Sequence, residues 1–213
     1  MKRLLDKLFK EDNVEVAEAF IEDVDDRVKD DGAVEIIIVS DNHGSTVELS
    51  KVLNYHVNSD YFLHCGDSNL KPTHALMKPF IAVKGNTDYS LAYQENEFFE
   101  LEIGERILIT HGHLFFVGLE EKRLLAYANS LDKVPNIIFY GHTHRIDVKI
   151  LDGFLVINPG SLCEPRDEHP PSYAKLRILP EAYHVQILES SDFSIIKEFQ
   201  FPRESSHLNL GLE

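Results

Sequence analysis

From Val34 to Phe201 the chain alternates short apolar runs with polar, glycine-bearing breaks. Val34–Val39 (VEIIIV) is a continuous β-branched run of strand length, the signature of a strand buried on both faces. A helix is predicted over Thr46–Val57, and Tyr61–Cys65 and Phe80–Val83 read as two more short strands. Phe98–Ile103 and Arg106–Thr110 flank Gly104-Glu105, a hairpin signal. Gly118–Leu131 is predicted to be helical, with Leu119, Leu124, Leu125 and Ala128 as its apolar side. Six strands follow, over Ile137–Tyr140, Arg145–Leu151, Phe154–Ile157, Tyr173–Leu179, His184–Leu188 and Phe193–Phe201, with turns at Asp152-Gly153 and Pro180-Glu181. Strands that alternate with helices and then give way to a meander imply two sheets packed face to face with helices outside. The expected fold is an α/β sandwich.

The two ends differ from this middle. Residues 1–33 carry six Lys/Arg against eleven Asp/Glu, and Val14, Ala17, Phe20, Ile21, Val24 and Val28 recur at helical spacing. Asn13 is a candidate N-cap and Asp31-Gly32 a candidate stop. This acidic amphipathic helix either packs on its own domain or serves as a docking or dimerisation element. Residues 34–202 form the expected domain, and the polar residues 203–213 are expected to be a loose tail. The start (MKRLLDKLFKEDN) has no apolar stretch of signal-peptide length, and nowhere do about 18 apolar residues run together. The expected location is the cytoplasm, with no membrane partner.

Composition narrows the function classes. Apolar residues make up 43% and charged residues 27% of the 213, which is ordinary globular usage. Lys+Arg total 21 against 36 Asp+Glu, a net charge of −15, and that balance speaks against holding long nucleic acid by phosphate neutralisation. A small phosphate substrate is compatible with it, because bound cations reverse the local sign. Two cysteines, Cys65 and Cys163, are too few for a disulfide scaffold or a thiolate zinc cluster and read as reduced thiols.

The chemistry concentrates directly after the apolar strands. Asp41-Asn42-His43-Gly44 follows the first, Gly66-Asp67 the second and Gly85-Asn86-Thr87-Asp88 the third. His111-Gly112-His113 and Gly141-His142-Thr143-His144 follow two later ones. Ligands of α/β sheets bind beyond the carboxyl ends of strands, so five such clusters can converge on one crevice. Carboxylate, imidazole and one carboxamide, without an obligatory thiolate, suit Mn²⁺, Fe or Zn²⁺ in a hydrolytic site. The ligand count exceeds the needs of one tetrahedral ion and fits two that share a bridging Asp. His64, inside a strand, reads as a core residue.

Together SDNHG, CGD, GNTD, THGH and GHTH resemble the five-block signature of calcineurin-like metallophosphoesterases. With NPGSLCEPR downstream, the compact spacing over residues 34–200 is similar to the small YfcE-like phosphodiesterases. The resemblance implies a four-layer α/β sandwich, helices outside two packed mixed sheets, and a dinuclear centre. By the same resemblance Asp41, His43 and His144 hold one divalent ion, Asn86, His111 and His142 hold a second, and Asp67 bridges. Manganese is the expected metal, with iron, zinc, nickel and magnesium as alternatives. The implied reaction is phosphodiester hydrolysis of a small soluble phosphoester by a metal-bridging hydroxide, with Asp67 and Asn86 acting on the reacting groups as well as the metals.

Asp88 is expected to accept a hydrogen bond from a ligand or the nucleophile, or alternatively to cap a turn. Thr87 stands where larger members of the superfamily place a protonating His, and a hydroxyl is a poor acid near pH 7. His113 is the substitute donor, or else a turn residue, while Lys84 and Arg166 are candidate phosphate contacts. The alternative activities are a phosphomonoesterase or nuclease on the same site. The alternative of another class is a metal-keeping scaffold that recruits a partner through residues 1–33; the retromer subunit, a scaffold of similar fold, has lost part of the ligand set that is complete here. A homodimer is the expected assembly.

Overall fold

The structure is a computed structural model that describes residues 32–203. The acidic helix predicted within residues 1–33 and the tail after Arg203 lie outside the described residues. Two mixed sheets make the frame. One is six-stranded, built from β1 (Val34–Val39), β2 (Tyr61–His64), β3 (Phe80–Ala82), β9 (Ser172–Ile178), β10 (Ala182–Glu189) and β11 (Ile195–Pro202), in the order β11-β10-β9-β1-β2-β3. The other is five-stranded, built from β4 (Asn96–Glu100), β5 (Arg106–Thr110), β6 (Ile137–Phe139), β7 (Ile146–Leu151) and β8 (Phe154–Pro159), in the order β4-β5-β6-β8-β7. In the first sheet β1, β2 and β3 run parallel out to one edge and β9, β10 and β11 continue antiparallel on the other side; in the second, parallel β5, β6 and β8 are flanked by antiparallel β4 and β7.

The layering follows from the side-chain period of two along the buried strands. On β1, Ile36 and Ile38 point into the cluster between the sheets, with Ile107, Ile109, Ile137, Phe139, Leu155 and Ile157 from the opposite sheet. Ile37 and Val39 point the other way, onto Leu49, Val52 and Leu53 of α1 (Thr46–Tyr55). On the far side Leu108, Ile138 and Val156 pack against Leu124, Leu125 and Ala128 of α2 (Lys122–Ser130). Helix, sheet, sheet and helix are thus four layers around three apolar interfaces, as expected. Among the described residues no helix is long and apolar enough to cross a membrane.

Three expectations need correction. The helix predicted from Gly118 starts at Lys122, because Phe116 takes a left-handed conformation (φ 58°) and the chain turns there instead of coiling. Leu119 therefore lies outside the helical register and is 87% exposed, not on the apolar side. Phe193, predicted to open the last strand, occupies a left-handed turn (φ 63°) and stacks on Tyr55 at 4.0 Å, so β11 begins at Ile195. Arg203, assigned to the tail, is tied to the domain: its Nε lies 2.6 Å from Glu105 Oε1, and its Nη1 and Nη2 donate to Leu179 O and Ile103 O.

Candidate metal centre

The parallel strands β1, β2, β3, β5 and β6 end at one crevice, and the five polar clusters meet there. Asp41 is fully buried. Its Oδ2 accepts from Ser40 Oγ (2.5 Å) and from the His142 backbone N–H (3.1 Å). Its Oδ1 has no hydrogen-bond partner and lies 3.3 Å from His144 Nε2 and 4.0 Å from His111 Nε2. Asp67 Oδ2 lies 3.4 Å from His111 Nε2, which is also 3.0 Å from Asn86 Oδ1. The Asp67 Oδ1 atom accepts from the Thr87 N–H. Across the crevice His43 Nε2 faces His144 Nε2 at 3.2 Å.

The orientation of these imidazoles is set from behind. His111 Nδ1–H donates to Cys65 O (2.8 Å), and His144 Nδ1–H donates to Glu164 O (2.6 Å). His43 Nδ1 lies 3.1 Å from Asn69 Oδ1, whose amide is itself oriented by donation from its Nδ2 to Thr87 O. Each acceptor is an oxygen, so a neutral ring that donates from Nδ1 turns its Nε2 lone pair inward. Three such nitrogens thus face the carboxylates of Asp41 and Asp67.

Charge within the crevice reflects the same packing. Burial pushes the Asp41 and Asp67 carboxyls up, but the His144 and His111 rings beside them, when protonated, outweigh it and hold both below the usual range. For His111 and His144 burial pushes down, and the facing carboxylates of Asp67 and Asp41 respectively favour a proton on the ring and raise them overall. Burial, followed by the charge of His111, lowers His142 and His113.

Two groups place three ligand atoms within 4.8 Å of one another: Asp41 with His43 and His144, and Asp41 with Asp67 and His111. The carboxylate common to both is Asp41, whereas the resemblance gives Asp67 the bridging place. His142 stands with its ring 5.2 Å from that of His111 but belongs to neither group. His113 is beside them, its ring 5.3 Å from His111 and 6.2 Å from His142, with a buried Nδ1 that has no partner. Asp88 bonds no ligand side chain. It accepts from the Ser68 N–H and Oγ, the Asn69 N–H (2.7 Å) and the Gly85 N–H (2.9 Å), bracing the loops that carry Asp67 and Asn86. Lys84 is taken up by Glu95 at 3.1 Å.

The backbone bends hard to make this convergence. Asp41, His43, Asp67, His142 and His144 all have positive φ, between 42° and 67°, each costing about 1 kcal/mol or more for a residue with a Cβ. Close approach decides two glycines: a Cβ on Gly85 would collide with the Asp67 side chain and backbone, and one on Gly141 with Ser40 Oγ.

Several organising residues carry no role in the sequence reading. Ser161 Oγ donates to Asp41 O and accepts the Glu164 N–H, coupling the first and last loops. Asn158 Nδ2 donates to Gly141 O and Thr143 Oγ1. His64 is buried, as expected, and also bonds: it accepts the Gly66 N–H at Nδ1 and donates from Nε2 to Asn42 Oδ1 (2.8 Å). The NPGS motif was the available signal for Asn158 and Ser161; Asn42 and Ser40, each adjacent to Asp41, were legible only by position.

Known proteins share this architecture. Residues 34–179 match the calcineurin-like phosphoesterase superfamily domain. The chain is 35% identical over 158 residues to the probable metallophosphoesterase YsnB of Bacillus subtilis, covering 73% of this chain and 91% of that one. Phosphodiesterase YfcE of Escherichia coli is 28% identical over 169 residues, 67% of this chain and 87% of its own. The solved YfcE structure superposes with a TM-score of 0.58, covering 78% and 98% of the two chains. The structure of a conserved protein from Streptococcus pneumoniae described as a predicted phosphoesterase gives a TM-score of 0.75 at 31% identity, with 80% and 98% covered.

Proposed function

The chain belongs to the calcineurin-like phosphoesterase superfamily, a class of metal-dependent phosphoester hydrolases, and on that footing we propose that it is a phosphodiesterase acting on small soluble phosphoesters with two divalent cations. The observation that carries this is the convergence of the Nε2 atoms of His43, His111 and His144 on a buried Asp41 Oδ1 that has no hydrogen-bond partner. Lone pairs and anionic oxygens repel one another at 3.2–4.0 Å unless protons or cations lie between them, so the donor set fits metal ions.

In this reading Asp41, His43 and His144 hold one ion, and Asn86, His111 and His142 hold the other, with Asp67 or Asp41 shared. Imidazole, carboxylate and carboxamide without thiolate suit Mn²⁺, Fe or Zn²⁺, and manganese is the ion proposed. Bound there, the two cations would lower the pKa of water and neutralise phosphoryl charge. The protein supplies the rest. Cys65 O, Glu164 O and Asn69 Oδ1 fix the ring orientations, and Asp88 fixes the spacing of the Asp67 and Asn86 loops. His113, whose ring lies 5.3 Å from that of His111, is the proposed donor to a leaving-group oxygen, a place for which the Thr87 hydroxyl, tied to Asn69, is spoken for. A diester whose leaving group departs without strong protonation suits such a site.

The test is hydrolysis of bis-p-nitrophenyl phosphate and p-nitrophenyl phosphate by chelator-stripped protein with and without Mn²⁺. Mn²⁺-dependent release that favours the diester is expected. Preference for the monoester would make the protein a phosphomonoesterase, and inactivity on both with two ions bound would make it a scaffold.

A further inference from the structure

The rim of the crevice beside His144 carries two arginines that the metal assignment leaves unused. Arg145 directly follows His144, and the Arg166 N–H donates to His144 O at 2.9 Å. Arg145 Nε donates to Arg166 O at 3.3 Å, which holds the two residues side by side. Both side chains are exposed, and the Arg166 charge is felt at His144. Among the described residues neither guanidinium pairs with a carboxylate, although the chain carries 36 Asp+Glu against 21 Lys+Arg. Asp167, adjacent to Arg166 and the nearest carboxylate in sequence, spends Oδ2 on the Ile146 N–H and Oδ1 on the His169 N–H. Lys84, Lys133, Lys149 and Arg203 by contrast are each engaged by an acid.

We propose that Arg145 and Arg166 form an anion clamp at the mouth of the site, which selects phosphoesters carrying a second phosphate or other anionic group a few bonds from the scissile phosphorus. The proposal rests on the phosphoester reading of the crevice. Guanidinium groups present planar forks of N–H donors that suit phosphate and carboxylate oxygens. Arg145 keeps its terminal nitrogens free while Nε anchors it, so part of the ordering cost is met before a ligand arrives. In a strongly acidic chain, two cations left unpaired beside a metal site concentrate substrate there and discriminate by charge count.

The test is calorimetric titration of the Mn²⁺-loaded full chain with propylphosphonate and with propane-1,3-bisphosphonate, neither of which is hydrolysed. The bisphosphonate is expected to bind about tenfold tighter or more, the yield of one or two exposed charge-assisted contacts. In the R145Q/R166Q double variant that ratio should fall to about two or less, while R145K/R166K, which keeps the charges but not the planar forks, should retain an intermediate preference. Equal affinities in the unsubstituted chain, or a preference that survives R145Q/R166Q with a native circular-dichroism spectrum, would overturn the clamp. Because these ligands are not turned over, a chain inactive on bis-p-nitrophenyl phosphate yet showing the preference would refute the phosphodiesterase reading alone.

Discussion

His64 holds the loops of Asp41 and Asp67 in register, and its protonation should undo that register in a measurable window of pH. The imidazole is fully buried, takes the Gly66 N–H on Nδ1 and gives its Nε2 proton to Asn42 Oδ1, while Asn42 Nδ2 donates to Ser45 O. A second ring proton would remove the acceptor for that Gly66 N–H. Burial is the main force against it, opposed by the charge of Asp88 and Asp41, and the ring is pushed down to about 4 from an ordinary 6.5. Between those values the unfolded chain binds the proton and the folded chain does not, so stability rises with pH across the window and is lost as pH falls. The full difference is about 3 kcal/mol at 1.36 kcal/mol per pKa unit. His64→Gln removes the titration, keeps a donor toward Asn42 and leaves the Gly66 amide unpaired, at a cost of about 1–3 kcal/mol near pH 7. Urea unfolding of both proteins in chelator should show the stability gap closing by about 2–3 kcal/mol between pH 7 and 4.5. Parallel pH profiles for the two proteins would refute the assignment of the acid sensitivity to His64.

Two further outcomes bear on the ligand set. If Asp67 is the shared carboxylate, Asp67→Asn should strip both ions and Asp41→Asn only one; metal content by elemental analysis decides, and the reverse order would give the bridge to Asp41. Either change should cut Mn²⁺-dependent turnover by about a hundredfold or more, beyond what loss of a supporting contact brings. Asp88→Ala frees the Ser68, Asn69 and Gly85 donors at once. It should cost about 2–4 kcal/mol by thermal unfolding and weaken metal binding about tenfold to a hundredfold, and an unchanged metal affinity would make Asp88 a fold brace only.

The strands were legible because buried sheets need continuous apolar runs, and the site was legible because polar residues at strand ends have few other reasons to cluster. Ile36–Val39 is apolar at every position because its two faces serve two interfaces, the inter-sheet core and α1. Long-range pairing was less accessible: nothing local in Ser172–Ile178 says that it runs antiparallel to β1 and starts the β9-β10-β11 wing. Phe116 and Phe193 look like continuations of their elements, since a left-handed φ at an aromatic residue leaves no mark in hydrophobic spacing. The same limit applies within the site. The identities of Asp41, His43, Asp67, His111 and His144 suggest metal chemistry, but what orients the rings of His111 and His144 is main chain. Cys65 O and Glu164 O act through carbonyls that any residue would supply, and the positive φ of five of the ligand candidates is a property of the turn. The kind of chemistry is therefore written in side chains at strand ends, whereas its geometry is written in backbone that the loops between β1, β2, β6 and β8 impose on one another. Arg145 and Arg166 belong to that second kind of information, because only the folded loops show that Asp167 is committed elsewhere and that both cations stand unpaired beside His144.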